Sequence, residues 1–246
     1  MPNPLDYVSQ KDIEDLGLSS NELLDAYQPS GGGFYHARGG EGKGKTLFIA
    51  HLYRYLIDSK EFSPFDATGN MSFKGKYGQG FTVRKGQELR EYLWNLTHVP
   101  YQNKIVIIDE ADSEFPARSF TDREQTEIAT RMWHVNKLHN YILMSSHVGN
   151  STDLIFHLAS HYLVLPDTPN FETNSLDFTI INNLELWTDD FTAHDIIKTM
   201  LIYKRRELTE DTIDSQRNRP IKKSRQTLEE SDDLDVEAEL KAMNLS

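Results

Sequence analysis

Residues 39–46 read GGEGKGKT. The short run GFYHAR precedes them. KTLFIAHLYRYLID follows, with Leu47, Ile49, Ala50, Tyr53, Leu56 and Ile57 at helical spacing. A strand, a glycine turn and a helix in direct succession narrow the fold to an α/β sheet in which a strand end faces a helix N-terminus. Glycines let the backbone curl so that several N–H groups converge on one anion, and the helix adds its positive end. Gly39, Gly44, Lys45 and Thr46 meet the spacing G-x-x-x-x-G-K-[ST]. The pattern predicts a loop for a nucleoside triphosphate, built from Gly39, Gly40, Glu41, Gly42, Lys43, Gly44, Lys45, Thr46 and Leu47. Lys45 is expected to pair with the β- and γ-phosphates, and Thr46 to place its hydroxyl on Mg²⁺. Lys43 adds a second local cation.

KIVIIDE, residues 104–110, supplies a complementary half. A continuous apolar run marks a strand buried on both faces. Asp109, at its carboxyl end, is expected to hold Mg²⁺ through water. Glu110 is expected to orient and activate the attacking water. Phosphoryl transfer needs mainly positioning and charge neutralisation, so these two carboxylates suffice. The stretch between Thr46 and Asp109 has room for helix, strand, helix and strand, which predicts an extra strand between the two motifs in the sheet. YILMSSH reads as another buried strand reaching the same edge, where ligands of parallel sheets bind. Ser146 or His147 is therefore a candidate sensor of the γ-phosphate, with His147 favoured. Among the arginines that follow the acidic pair, Arg118 is the first candidate to act on a neighbouring subunit's nucleotide, ahead of Arg123 and Arg131.

Strands alternate with helices from about residue 33 to 166, which predicts a mainly parallel α/β sheet. A strand is expected around 66–73, and helices over 86–98 and 122–139. DFTIINNLELW is expected to form a hairpin or edge strand, and FTAHDIIKTMLIY a helix. Large apolar residues thin out from about 207, where basic RNRPIKKSR is followed by acidic EESDDLDVEAE. The expected organisation is a polar arm over 1–30, one P-loop domain over 31–206 and a mobile charged tail over 207–246. The 246-residue chain has no cysteine, which excludes disulfides and thiolate metal sites. The polar N-terminus does not read as a signal peptide, and no apolar run is long enough to span a membrane. A cytoplasmic protein without stable membrane insertion is expected. The net charge of −12 weakens a passive DNA-coating role more than a motor role.

The segment from IVIIDEAD through YILMSSHVGNSTDLI resembles the FtsK/HerA superfamily of P-loop ATPases. More narrowly, it is similar to the small genome-packaging ATPases of viruses and their Zot-like phage relatives. The acidic pair corresponds to Asp109 and Glu110, and PARSF offers Arg118. Asn136 and Lys137 stand where Arg-Lys is usual. SSH stands for Thr-Thr-Gln, so His147 replaces the glutamine, and Asp153 follows. TGNMSF is similar to the family strand that carries Asn after the P-loop helix. The resemblance covers about residues 33–207. It implies a three-layer P-loop NTPase sandwich of the additional-strand, catalytic-glutamate type. It also implies an ATP- and Mg²⁺-dependent motor, a homo-oligomeric ring that translocates double-stranded DNA into a capsid through a portal or vertex protein. The setting implied is host cytoplasm or virion.

DEAD at 109–112 does not make the chain a helicase of that name, because such enzymes close two domains on RNA and use a different glycine loop. A kinase or small GTPase fits poorly beside Glu110, and no Asn-Lys-x-Asp base motif is present. A clamp-loading ATPase would add a helical lid that the sequence after 166 does not suggest. The competing class is a nucleotide-gated assembly module, Zot-like, with slow hydrolysis indifferent to DNA. FKGKYGQGFTVRKGQ interleaves Lys74, Lys76, Arg84 and Lys85 with Phe73, Tyr77 and Phe81. It reads either as a phosphate-tracking loop or as a solvated hairpin.

Overall fold

The side chains of β5 (Ile105–Ile108) are all buried, Ile105 and Ile107 on one face of a sheet and Val106 and Ile108 on the other. β1 (Gly33–Gly39) and β6 (Tyr141–His147) divide their side chains in the same way. A strand without a polar face must lie between two covering layers, and this one does. The computed structural model describes Leu24, Tyr27, Pro29 and residues 32–115, 123–148 and 156–204.

The sheet runs β4 (Thr82–Val83), β2 (Ala67–Gly69), β5, β6, β1, β7 (Tyr162–Pro166), β8 (Ser175–Asn182) and β9 (Trp187–His194). Pairing is parallel from β4 to β7 and antiparallel from β7 to β9. Helix α1 (Lys45–Asp58) packs into one face, whose core includes Phe48, Leu52 and Leu56. α2 (Gly86–His98) covers the other face together with α4 (Arg123–Arg131), through Leu89, Leu93 and Ile128. The short α3 (Ala111–Glu114) follows β5 directly. The protein is an α/β sandwich with helices on both faces of a mainly parallel sheet. The strand between the glycine-loop strand β1 and the acidic strand β5 is β6. The strand that lies between them in sequence, β2, sits on the far side of β5.

Three expectations change in detail. The strand anticipated over 66–73 divides. β2 joins the main sheet, while β3 (Ser72–Phe73) turns away and pairs with β10 (Tyr203–Lys204). The helix begun in α4 tightens into a 3₁₀ stretch over Met132–Leu138. Three residues per turn put Met132 and Val135 on one face, and both are buried. FTAH is strand, because β8 and β9 pair as far as Ser175 and His194, and the helix is shortened to α5 (Ile196–Ile202). Of the N-terminal residues, Leu24 bridges Ala193 in extended pairing and Tyr27 donates its hydroxyl to that of Tyr35 at 2.9 Å; both are buried. The anticipated tail lies outside the described residues. Among those described, no helix is long and apolar enough to cross a membrane.

α1 and α5 are joined by a buried ion pair. The Arg54 guanidinium donates to the Asp195 carboxylate at 2.7 Å and to the Asp195 carbonyl at 2.9 Å. His51 Nδ1 lies 2.8 Å from the Thr199 hydroxyl one turn further along α5.

Candidate functional site

The parallel register brings Gly39 level with His147 and places Ile108 beside Met144. The glycine loop, the acidic pair and the polar end of β6 therefore meet at one edge of the sheet. A cavity of about 490 Å³ opens there. Residues 41–47, Glu110 and residues 145–147 line it. Gly44 caps α1 with φ 68°. A Cβ on Gly44 would come within 2.7 Å of Leu176 Cδ1 and 3.0 Å of the Asp167 carbonyl, so the loop lies tight against the β7–β8 turn. Lys43 reaches that turn by an ion pair of 2.6 Å with Asp167. The Lys45 ammonium donates to the carbonyls of Gly39 at 3.0 Å and Gly40 at 2.7 Å. Burial lowers its pKa from the ordinary lysine value, against the opposing pull of Asp109, Glu110, Asp112 and Glu41.

Thr46 and Asp109 are 63 residues apart in sequence and joined in space, the Thr46 hydroxyl donating to Asp109 Oδ1 at 2.8 Å. Two residues hold Asp109 in place. Ser145 donates to the same Oδ1 at 2.6 Å and accepts the N–H of Glu110 at 2.9 Å. Asn70 bonds the Asp109 peptide on both sides, Nδ2 to the carbonyl and Oδ1 from the N–H, each at 2.7 Å. Its side-chain amide thus continues the β2–β5 ladder by one step. Asn70 also donates to buried Glu114 at 3.1 Å, and Glu114 accepts the Gly86 N–H at 2.6 Å. Glu110 adopts φ 51° and ψ 59°, a left-handed conformation that costs a non-glycine residue about 1–2 kcal/mol. The Ser145 bond helps to hold it there, at the cavity wall.

Ser146 lines the cavity with its hydroxyl 2.7 Å from Nε2 of buried His36. His147 lies at the more open end of the same strand, and its N–H donates to Asp112 at 3.1 Å. Arg118 and Asp153 fall outside the described residues, as does the side chain of Arg123. Arg131 pairs with Glu127 along α4 at 3.1 Å. The rings of the candidate DNA loop face inward. Phe73 and Phe81 pack on Tyr53, and the Tyr77 hydroxyl bonds Asp58. Lys76 also pairs with Asp58, at 2.7 Å, and Arg84 lies over Tyr92. Lys74 and Lys85 are exposed.

Sequence reasoning missed Ser145, which looks like any strand-end serine until the register sets it beside Asp109. It also missed a second group of residues on the cavity, Pro169, Phe171, Met200 and Tyr203. These come from the β7–β8 turn and the α5–β10 junction.

The donor set suits magnesium. Mg²⁺ prefers hard oxygen ligands, takes one or two protein groups and keeps water and phosphate oxygens for the rest. The Thr46 hydroxyl and the Asp109 carboxylate, already converging within hydrogen-bond reach, would hold it. Among the described residues no cluster of three or more His, Cys, Asp or Glu could hold a metal by itself.

The chain is similar in structure to the genome-packaging NTPase B204 of Sulfolobus turreted icosahedral virus 2, solved with ATPγS, at 14% identity and a TM-score of 0.47, over 66% of this chain and 98% of that one. It is also similar to the flagellar accessory protein FlaH of Methanocaldococcus jannaschii, at 10% identity and a TM-score of 0.40, over 63% and 79% of the two chains. A KaiC-like protein of Pyrococcus horikoshii matches at 13% identity and a TM-score of 0.41, over 66% and 83%. No protein-family model matches the chain, and no curated protein matches it.

Proposed function

We propose that the chain is a Mg²⁺-dependent ATPase whose hydrolysis drives double-stranded DNA through a homo-oligomeric ring, as the motor subunit that packages a viral genome through a capsid portal or vertex. The observation that carries the ATPase reading is the Thr46–Asp109 bond with Glu110 at the same cavity wall. The loop N–H groups and Lys45 would receive the β- and γ-phosphates. The Thr46 hydroxyl and Asp109 would hold the metal, which supplies neutralisation of phosphate charge. Glu110 would accept a proton from the attacking water, and Ser146 or His147 would sense the γ-phosphate. The DNA-translocation reading rests on the sequence resemblance over residues 33–207.

The pairing of Lys76 with Asp58 and the seating of Arg84 over Tyr92 support a second reading, since they engage two cations of the candidate DNA loop within the protein itself. In that reading the protein is a nucleotide-gated assembly module with slow hydrolysis. One experiment separates the two: ATPase rates of the wild type and Glu110→Gln, with and without long double-stranded DNA. The motor reading expects stimulation by DNA that Glu110→Gln abolishes, a loss of about 10²–10⁴-fold. A basal rate indifferent to DNA, in a protein shown to be oligomeric, selects the module. A rate unchanged by Glu110→Gln removes the catalytic assignment itself.

A further inference from the structure

The cavity at the glycine loop has a wall that phosphate chemistry does not use. Pro169 and Phe171, on the β7–β8 turn, and Met200 and Tyr203, at the α5–β10 junction, line the same cavity as residues 41–47. Phe171, Met200 and Tyr203 are each partly buried and packed against the core, so each keeps a face toward the opening. A polyphosphate gains nothing from two aromatic rings and a thioether. A flat heteroaromatic group does, because every base has a π-face and stacks on such surfaces.

The wall is preorganised. Asn170 and Ser175 exchange two backbone hydrogen bonds of 2.9 Å, and Asn170 Oδ1 accepts the N–H groups of Glu172 at 3.0 Å and Thr173 at 3.2 Å. Phe171 therefore sits in a turn closed by its own bonds. Asn174 ties this turn to the start of α5, its Oδ1 accepting the Ile197 N–H at 2.9 Å. Asp195, just before α5, is held by Arg54 of α1, the helix that leaves the glycine loop. The phosphate loop and the apolar wall are thus held together by polar contacts, of which the Arg54–Asp195 pair is buried, and a ligand bridging them meets a site already shaped.

We propose that Phe171 and Tyr203, with Pro169 and Met200, form the subsite for the nucleobase of the nucleoside triphosphate whose phosphates enter the glycine loop. This rests on the nucleotide reading above. Its consequence extends past the cavity. Tyr203 pairs with Phe73, and the Lys74 N–H donates to the Ile202 carbonyl at 2.6 Å. A base seated on Tyr203 steadies the strand that anchors the exposed Lys74 segment.

The test compares binding of ATP with binding of inorganic tripolyphosphate, both with Mg²⁺, by the full chain and its Phe171→Ala, Phe171→Tyr and Tyr203→Ala variants. Phe171→Ala and Tyr203→Ala are each expected to weaken ATP by about ten- to a hundredfold while leaving tripolyphosphate within twofold, and Phe171→Tyr to restore ATP. ATP affinity unchanged in both alanine variants overturns the subsite. Equal weakening of both ligands does so too, because it places the effect on the phosphate loop or the fold. Hydrogen exchange on the wild type is independent of variant folding: ATP, but not tripolyphosphate, is expected to slow exchange of the Lys74 amide, and equal protection by both counts against the subsite. A wild type that binds neither ligand overturns the nucleotide reading itself.

Discussion

The Ser145 hydroxyl donates to Asp109 Oδ1 at 2.6 Å and accepts the Glu110 N–H at 2.9 Å, so one side chain on β6 orients both carboxylate-bearing residues at the end of β5. Mutating a residue that orients a metal ligand typically costs about 10–100-fold in metal affinity or activity. Ser145→Ala is expected to raise the Mg²⁺ concentration that half-saturates ATP hydrolysis by about tenfold or more, with ATP binding in a metal chelator unchanged. Ser145→Thr, which keeps the hydroxyl, is expected to recover part of the loss. A magnesium titration identical to that of the wild type would remove Ser145 from the site.

The parts of this site that were legible in the sequence are the ones whose physics is local. The glycine loop must curl within eight residues and start a helix, so its glycines, Lys45 and Thr46 are contiguous and recognisable. IVIIDE declares its burial through four consecutive apolar residues. Ser145 and the Phe171–Met200 wall depend on contacts between segments distant in the chain, and no neighbouring residue signals the partner. Asn70 stands in TGNMSF, which resembles the family strand, but its two bonds to the Asp109 backbone appear only in the fold. The strand order shows the same limit. Room for an intervening strand between Thr46 and Asp109 was readable, but the strand that separates β1 from β5 is β6, which follows both. The helix expected over FTAH failed for a related reason, since pairing with β8 outweighs the local pattern. Phe73, Tyr77 and Phe81 were ambiguous because an aromatic residue between lysines looks alike whether its ring faces solvent or Tyr53.

Arg54 and Asp195 are both almost fully buried and 2.7 Å apart. Removing one partner of such a pair leaves an uncompensated buried charge, at a cost of about 3–5 kcal/mol. Arg54→Met is expected to lower the unfolding free energy by that amount in urea titrations. Replacing Asp195 by Asn in the same chain is expected to recover part of it, because the stranded carboxylate is gone. If Arg54→Met cost less than about 1 kcal/mol, the pair would behave as a surface bridge and could not be what fixes α5 against α1.

His161 predicts a pH dependence with a definite sign. Its Nδ1 accepts the Phe34 N–H at 2.9 Å and its Nε2 lies 3.2 Å from the Trp133 carbonyl, which together require the neutral ring. Burial lowers its pKa below the ordinary histidine value, partly offset by the Trp133 carbonyl, with His134 adding a smaller push in the same direction as burial. The unfolded chain then binds a proton more readily than the folded one. The stability so contributed is present above the unfolded pKa, about 6.5, and is lost as pH falls from there toward the lowered folded value. Melting temperatures measured from pH 7.5 to 5 are expected to fall more steeply for the wild type than for His161→Gln. Parallel curves would show that His161 does not titrate on unfolding.

Gly42 and Gly44 separate two reasons for glycine in the same loop. Both have positive φ, 77° and 68°, so alanine at either meets the left-handed penalty of about 1–2 kcal/mol. Their surroundings differ. A Cβ on Gly42 meets nothing within 4 Å, whereas one on Gly44 meets Leu176 at 2.7 Å and the Asp167 carbonyl at 3.0 Å. The leucine end can turn aside, but the carbonyl belongs to the turn that Lys43 grips and that carries Phe171. Gly44→Ala is therefore expected to cost more stability than Gly42→Ala and to weaken ATP binding more, because it pushes the phosphate loop away from the apolar wall. The comparison is made by urea unfolding and by ATP titration of the two variants. Equal losses would mean that backbone strain alone explains both glycines, and that close packing of the loop on the β7–β8 turn contributes nothing to the site.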